Sequence, residues 1–343
     1  MSYYDGTKIL SMKDLNREKP VFYIVTGNRT GGKTTYFARL MINNFLKHGK
    51  KFMLLYRFKY ELSSISDQFF KDIKSLFFNG YDMASKPMAK GCYQELFLNE
   101  ESCGYAVAIN SADTVKRYSH VFSDVSCIMF DEFQSETNHY CVNEVEKFLS
   151  IIKSVSRGQG QQYRYVPVYM LSNPVTLLNP YFSSMGISHR LRAETKFLRG
   201  NGFVLEQGFN ISAKEAQENS GVNKAFCNEK YNAYSSEGVY LNDSKTFIEK
   251  MSGYSKYICT LKYNNKEYAI REYPEQGIIY CDTNIDITFK RKICVNTSDH
   301  DVNYIMLKQN SVLLSYLQYY FVHGVFRFKD LQCKEAVISA LSL

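Results

Sequence analysis

Gly27-Asn28-Arg29-Thr30-Gly31-Gly32-Lys33-Thr34 carries a glycine, a second glycine five residues on, then lysine and threonine. This is the spacing of a phosphate-binding loop. Glycines let the backbone wrap closely around phosphates, and the loop amides with the helix N-terminus behind them point at the negative charge. In this reading Lys33 reaches the β- and γ-phosphates of ATP, and the Thr34 hydroxyl holds Mg²⁺. Residues Gly27 to Thr35 form the nucleotide grip. A second group follows at Asp131-Glu132-Phe133. An aspartate at a strand end completes the Mg²⁺ shell. A glutamate next to it polarises the attacking water. Two adjacent carboxylates with separate tasks point to hydrolysis of the nucleotide, not its storage.

The elements around these residues are the ones they need. The apolar run Val21 to Val25 reads as a strand feeding the loop, and Thr35 to Leu46 reads as the helix leaving it. Ser126 to Phe130 reads as a buried strand ending in Asp131. Further strands are expected at Lys51 to Tyr56, Gly104 to Ile109 and Tyr165 to Leu171. Strands alternating with helical stretches predict an α/β fold with a mostly parallel sheet. A glutamate beside the metal-binding aspartate, with extra strands, is the additional-strand catalytic-Glu (ASCE) pattern of motor ATPases. Asn173 after the last strand has two readings, a γ-phosphate sensor or an Asn-Pro turn before Pro174.

With 343 residues the chain has room for two domains and a sizeable core. A hydrophobic share of 45% and a charged share of 22% are ordinary for a globular protein. No apolar run reaches the length of a membrane helix, and the first residues lack the pattern of a signal peptide, so a cytosolic protein without a membrane partner is expected. The nine cysteines are scattered without a CxxC pair, and the six histidines are isolated. Reduced core thiols and no metal beyond the nucleotide's Mg²⁺ follow. The net charge of +8 permits a polyanionic partner. Lys116-Arg117, the group Arg190, Arg192, Lys196 and Arg199, and Lys290-Arg291-Lys292 could each be a solvated face. Together on an ATPase they admit sequence-independent contact with a nucleic-acid backbone.

Residues 1–200 read as the ATPase domain, 201–230 as a linker and 231–343 as a second, α+β domain. In the last, strands are expected at Thr246 to Lys250, Lys256 to Tyr263, Lys266 to Arg271, Gly277 to Cys281 and Lys290 to Val295. Asn264-Asn265 is a hairpin signal, and helices are expected over Val302 to Val322 and Asp330 to Leu341. This order is compatible with an RNase H-like fold. Among Glu249, Glu272, Asp282, Asp286, Asp330 and Glu335, only Asp282 sits where a first nuclease metal ligand belongs. A degenerate, DNA-gripping module is preferred over an active nuclease.

Several blocks together resemble the DNA-encapsidation ATPases of small podophages of the phi29 type. They are Gly27 to Thr34, Phe130 to Phe133, Leu171-Ser172-Asn173 with Asn179-Pro180-Tyr181-Phe182, and Phe247-Ile248-Glu249-Lys250. The likeness runs nearly the full length and includes Asn143-Glu144-Val145 and Phe326-Arg327-Phe328. It implies a homopentameric ring at the portal vertex of an empty prohead, hydrolysing ATP to drive double-stranded DNA inward. It implies an N-terminal ATPase domain and a C-terminal RNase H-like domain without nuclease activity, acting in the host cytoplasm and transiently at the prohead. Position after Asn143-Glu144-Val145 implies an arginine finger at Arg157, with Arg164 as the other candidate. Lys116 and Arg117 lie near the family's second trans-acting basic residue, in its lid, and Arg57, which matches an arginine after the second strand, is a third trans-acting or lid candidate. Whether a structural RNA or the portal protein supplies the docking surface stays open. Two rival readings are a terminase with an active C-terminal nuclease and a nucleotide-gated scaffold without motor action.

Overall fold

A computed structural model describes residues 3–137, 139–158, 160, 162–188, 190–191, 195–225 and 247–341, with the backbone alone at 63–68. The chain divides into two compact units, Met1–Asn242 and Asp243–Leu343.

The first unit contains a nine-stranded sheet. In chain order its strands are β1 (Phe22–Thr26), β2 (Lys51–Tyr56), β3 (Met83–Met88), β4 (Tyr93–Leu98), β5 (Glu101–Ala108), β6 (Val125–Asp131), β7 (Val168–Ser172), β8 (Phe197–Gly200) and β9 (Phe203–Gln207). Across the sheet they run β3-β4-β5-β2-β6-β7-β1-β9-β8. Every pairing from β5 to β9 is parallel, and β3, β4 and β8 add antiparallel edges. Strand β7 therefore stands between β1, which feeds the phosphate loop, and β6, which ends in Asp131.

The helices are α1 (Thr7–Ser11), α2 (Lys33–His48), α3 (Leu62–Phe77), α4 (Ala112–Arg117), α5 (Glu144–Val155), α6 (Pro180–Ser184), α7 (Ile211–Glu218) and α8 (Gly221–Ala225). They cover both sheet faces, which is why the central strands read as unbroken apolar runs. Along β6, Ile128 and Phe130 join Phe148, Ile151 and Val155 of α5 in one core. Cys127 and Met129 join Phe37, Met41 and Phe45 of α2 in the other. In α2 the buried positions 37, 38, 41, 42 and 45 make one stripe, and Gly49 ends the helix with a left-handed cap.

Two expectations change here. The β3–β4 hairpin had no prediction. The domain edge expected at 200 falls inside the sheet, because β9 pairs with β1 from Phe22↔Phe203 to Thr26↔Gln207. Gly200-Asn201-Gly202, at the expected edge, form the turn of the β8–β9 hairpin. Most of the expected linker, up to Ala225, belongs to the first unit, while 226–230 lie outside the described residues.

The second unit is a six-stranded sheet of order β14-β13-β10-β11-β12-β15. Its strands are β10 (Lys256–Tyr263), β11 (Lys266–Tyr273), β12 (Ile278–Asp282), β13 (Lys292–Cys294), β14 (Ile305–Met306) and β15 (Phe326–Phe328). Asn264 and Asn265, both at positive φ (51° and 59°), turn β10 into β11 as expected. Helices α9 (Ser311–Val322) and α10 (Leu331–Leu341) pack Leu313, Leu317, Cys333 and Val337 against Cys259, Ile270 and Cys281. Helix α9 starts nine residues later than expected. Strand β14 occupies part of that stretch, and the Asn310 side chain caps the helix by accepting from the Leu313 amide at 3.2 Å. The strand expected at Thr246 to Lys250 reduces, where described, to a bridge between Ile248 and Phe328. Among the described residues no helix is long and apolar enough to cross a membrane.

Candidate active site

The phosphate loop leaves β1 at Thr26 and is held on two sides at once. The Gly27 amide donates to Ser172 O at the end of β7 (3.2 Å), and the Gly208 amide donates to Thr26 O (2.6 Å). A Cβ on Gly27 would stand 2.2 Å from Gly208 O, so only glycine fits this crossing. Gly32, at φ 90°, turns the chain into α2, whose first residues are Lys33, Thr34 and Thr35. Lys33 is buried, and its ammonium donates to Gly27 O and Asn28 O, both at 2.9 Å. Burial pulls it down to about 8.

Thr34 Oγ1 donates to Asp131 Oδ2 at 2.7 Å, which brings together the two motifs that lie almost a hundred residues apart. Desolvation raises the Asp131 carboxyl above its ordinary range, against the Thr34 hydroxyl and the Lys33 charge. Glu132 follows in a left-handed turn (φ 53°), with its amide on Asp131 Oδ1 at 3.0 Å. Desolvation, then the Asp131 and Glu136 carboxylates, hold the Glu132 carboxyl above its ordinary range. Arg29 of the loop pairs with Glu136.

The turn that presents Glu132 rests on residues from four elements. Arg57, after β2, donates from Nη2 to Phe133 O at 2.7 Å and lies within 3.4 Å of Glu132 O. Its Nε donates to both Glu144 oxygens at 3.1 Å. Glu144, 3% exposed at the start of α5, also accepts from Cys141 N (2.7 Å) and the Tyr181 hydroxyl (2.7 Å). Gln134 Oε1 accepts from the Val175 and Thr176 amides at 3.1 and 2.9 Å. That fixes the chain just past Asn173, a half-buried residue following β7. The Asn179-Pro180-Tyr181-Phe182 block is part of the same frame. Asn179 caps α6 through Phe182 N at 2.9 Å, and Phe182 lies in the core.

The remaining candidates fall into two groups. Arg57 is buried within its own subunit, which corrects its reading as a trans-acting or lid residue: both ends of its guanidinium group are engaged beneath the Glu132 turn. Asn28 is wholly buried with its side chain committed to Asn210, so it offers a phosphate only its backbone. Arg164 is likewise engaged, donating to Val155 O at 2.8 Å and Val125 O at 3.3 Å. Arg157 differs from these. It is exposed, and its guanidinium makes no hydrogen bond or ion pair among the described residues. It lines a cleft of about 570 Å³ between α4 and α5 with Lys116, Lys153 and Glu146. Arg117 is exposed at the end of α4. In the second unit, Asp282 is buried against Arg271 Nε at 3.0 Å and accepts from Asn284 N at 2.6 Å.

Sequence reading placed Glu144 in a matching block without giving it a role, and missed Gln134 and Asn210, which hold the site without belonging to a chemical motif. Only Asn210, a residue type that caps helices, carried a local signal. Glu144→Ala leaves a buried guanidinium without its counter-ion. It should cost about 3–5 kcal/mol of stability, read by denaturant unfolding. The double change Arg57→Met with Glu144→Met should cost clearly less. A loss below about 1 kcal/mol for Glu144→Ala would mean that solvent, not this pair, compensates Arg57.

The profile of the podovirus DNA encapsidation proteins (Gp16) matches residues 1–341. The DNA packaging protein of Bacillus phage phi29 is 26% identical over 332 residues, covering 96% of this chain and 93% of its own. That of Bacillus phage B103 is 25% identical over 314 residues, covering 90% of this chain and 93% of its own. In the solved bacteriophage Phi-29 viral genome packaging motor assembly, a subunit 24% identical shares the fold over 99% of this chain and 97% of its own, with a TM-score of 0.68. With its phosphate loop, its Asp131-Glu132 turn and this match from end to end, the chain belongs to the podovirus DNA encapsidation protein family.

Proposed function

We propose that this protein hydrolyses ATP and uses the energy to drive double-stranded DNA into a phage prohead. One observation carries the ATPase part. The Thr34 hydroxyl and the Asp131 carboxylate sit 2.7 Å apart at the mouth of the phosphate loop, with Glu132 as the next residue. A hydroxyl and a carboxylate suit a hard cation such as Mg²⁺. When bound, that ion neutralises charge on the β- and γ-phosphates. Lys33 is positioned for the same phosphates, since its ammonium already lies among the loop carbonyls. Glu132, held above the ordinary carboxyl range, is the better proton acceptor for orienting water.

Among the described residues, Lys33 and Arg29 are the cations that the phosphate loop itself supplies. The exposed Arg157, which shares its cleft with Lys116 and Lys153, supports delivery of a further cation from a neighbouring copy. Hydrolysis then requires a ring, five-membered in the phi29-type family, which acts at the portal vertex of the prohead in the host cytoplasm. A structural RNA or the portal would supply its seat there. In the second unit, β10, β11 and β12 run antiparallel, while β13 and β14 lie parallel to β10. This order supports an RNase H-like module. The Arg271–Asp282 pair supports one that grips DNA without cutting it, because the carboxylate a nuclease would give to metal is already neutralised.

Steady-state turnover with double-stranded DNA tests this reading. Arg157→Ala should lower kcat by about 10³-fold or more and, mixed into wild type, poison it. Glu132→Gln should bind ATP yet not turn it over. A DNA-independent rate untouched by either change would sink the proposal. Lys33 adds a pH signature. Below about 8 it is charged before ATP arrives. Above that, binding must take up a proton, because the phosphates favour the ammonium form. Affinity should therefore fall as pH rises past 8, by up to about tenfold per unit, with proton uptake seen by calorimetry in two buffers. A flat affinity between pH 7 and 10 would contradict it.

A further inference from the structure

The phosphate loop has a second set of contacts that nucleotide binding does not use. They run to the segment 208–218. The Asn28 side chain clasps the backbone of Asn210 in both directions, donating to its carbonyl at 2.9 Å and accepting from its amide at 3.0 Å. Asn210 in turn caps α7, its side chain accepting from Ala213 N at 3.0 Å. Near the far end of the same helix, Gln217 Nε2 donates to Arg29 O and to Thr30 Oγ1, both at 2.9 Å. Three consecutive loop residues are thus tied to the first and last turns of α7.

These ties meet the nucleotide chemistry at one atom. Lys33 donates to Asn28 O, the carbonyl of the residue whose side chain holds Asn210. A phosphate that draws the Lys33 ammonium away frees that carbonyl and lets the Asn28 peptide reorient. Asn28 and Arg29 flank that peptide, and both are tied to the α7 segment, through the Asn28 side chain on Asn210 and through Arg29 O on Gln217, so a shift of the backbone here is felt at both ties. Helix α7 is followed in the chain by α8 and then by the residues that lead to the second unit.

We propose that Asn28, Asn210 and Gln217 form a clamp through which occupancy of the phosphate loop sets the position of α7. In this scheme Gln217 is a positioning residue, since it acts on the nucleotide only through the loop. The proposal rests on the nucleotide reading given above, and the test separates the two.

Hydrogen–deuterium exchange is followed over residues 211–218 of the full chain, with and without Mg·ATPγS, alongside a binding isotherm for the same nucleotide. Wild type should change its α7 exchange by about fivefold or more on saturation. Gln217→Met keeps the length and the helix propensity but has no donor. It should bind Mg·ATPγS within about threefold of wild type. It should also lose most of the α7 response, and DNA-stimulated kcat should fall while KM for ATP holds. Saturable binding with no α7 response in wild type overturns the clamp alone. So does a full response in Gln217→Met. Absence of saturable binding overturns the nucleotide reading, and the clamp with it.

Discussion

A buried pair of opposite charges, Arg57 and Glu144, underlies the order of the Asp131-Glu132 turn. Neither residue touches the place where phosphate chemistry would occur. Yet the guanidinium group supports the backbone of Glu132 and Phe133, and the carboxylate gathers the start of α5, the Cys141 amide and the Tyr181 hydroxyl around it. Ions taken out of water are costly unless every valence is met. Here that requirement is met by four separate stretches of chain, so all four must be in place together. The turn gains its fixed geometry from this shared demand, and aromatic rings of Phe130 and Tyr140 close the shell around Arg57.

The sheet order contributes the other half of the site. Because β7 stands between β1 and β6, the loop and the Asp131-Glu132 turn emerge two strands apart at the same sheet edge. The gap between them is spanned by side chains at 2.7 Å, from Thr34 to Asp131. Parallel strands buried on both faces leave little freedom to shear. In the proposed clamp, changes at the phosphate loop are then taken up by its ties to α7.

Much of this was legible in the sequence, for identifiable reasons. The phosphate loop and the strand before Asp131 are encoded by contiguous residues with strong local constraints. The Asn264-Asn265 turn is likewise local, since both residues must adopt positive φ. What escaped depends on contacts distant in sequence. β9 looks like the end of a domain until its pairing with β1 is seen. Arg57 matched a family position but revealed its role only when Glu144, distant along the chain, closed on it. Asn28 belongs to the motif by position, but its side chain serves a residue far downstream. Val302 to Ser311 has helix-like apolar content, and the pairing of β14 with β13 overrides it.

Tyr4 gives the first residues of the chain an unexpected importance. Its amide donates to Gly31 O at 2.8 Å, and its hydroxyl donates to Glu206 Oε2 at 2.7 Å inside β9. The loop is therefore gripped from one side by α7 and from the other by a segment that looks like a dispensable tail. Removing Tyr4 would release the phosphate loop from this hold. It would also leave the Glu206 carboxylate buried without its phenol partner.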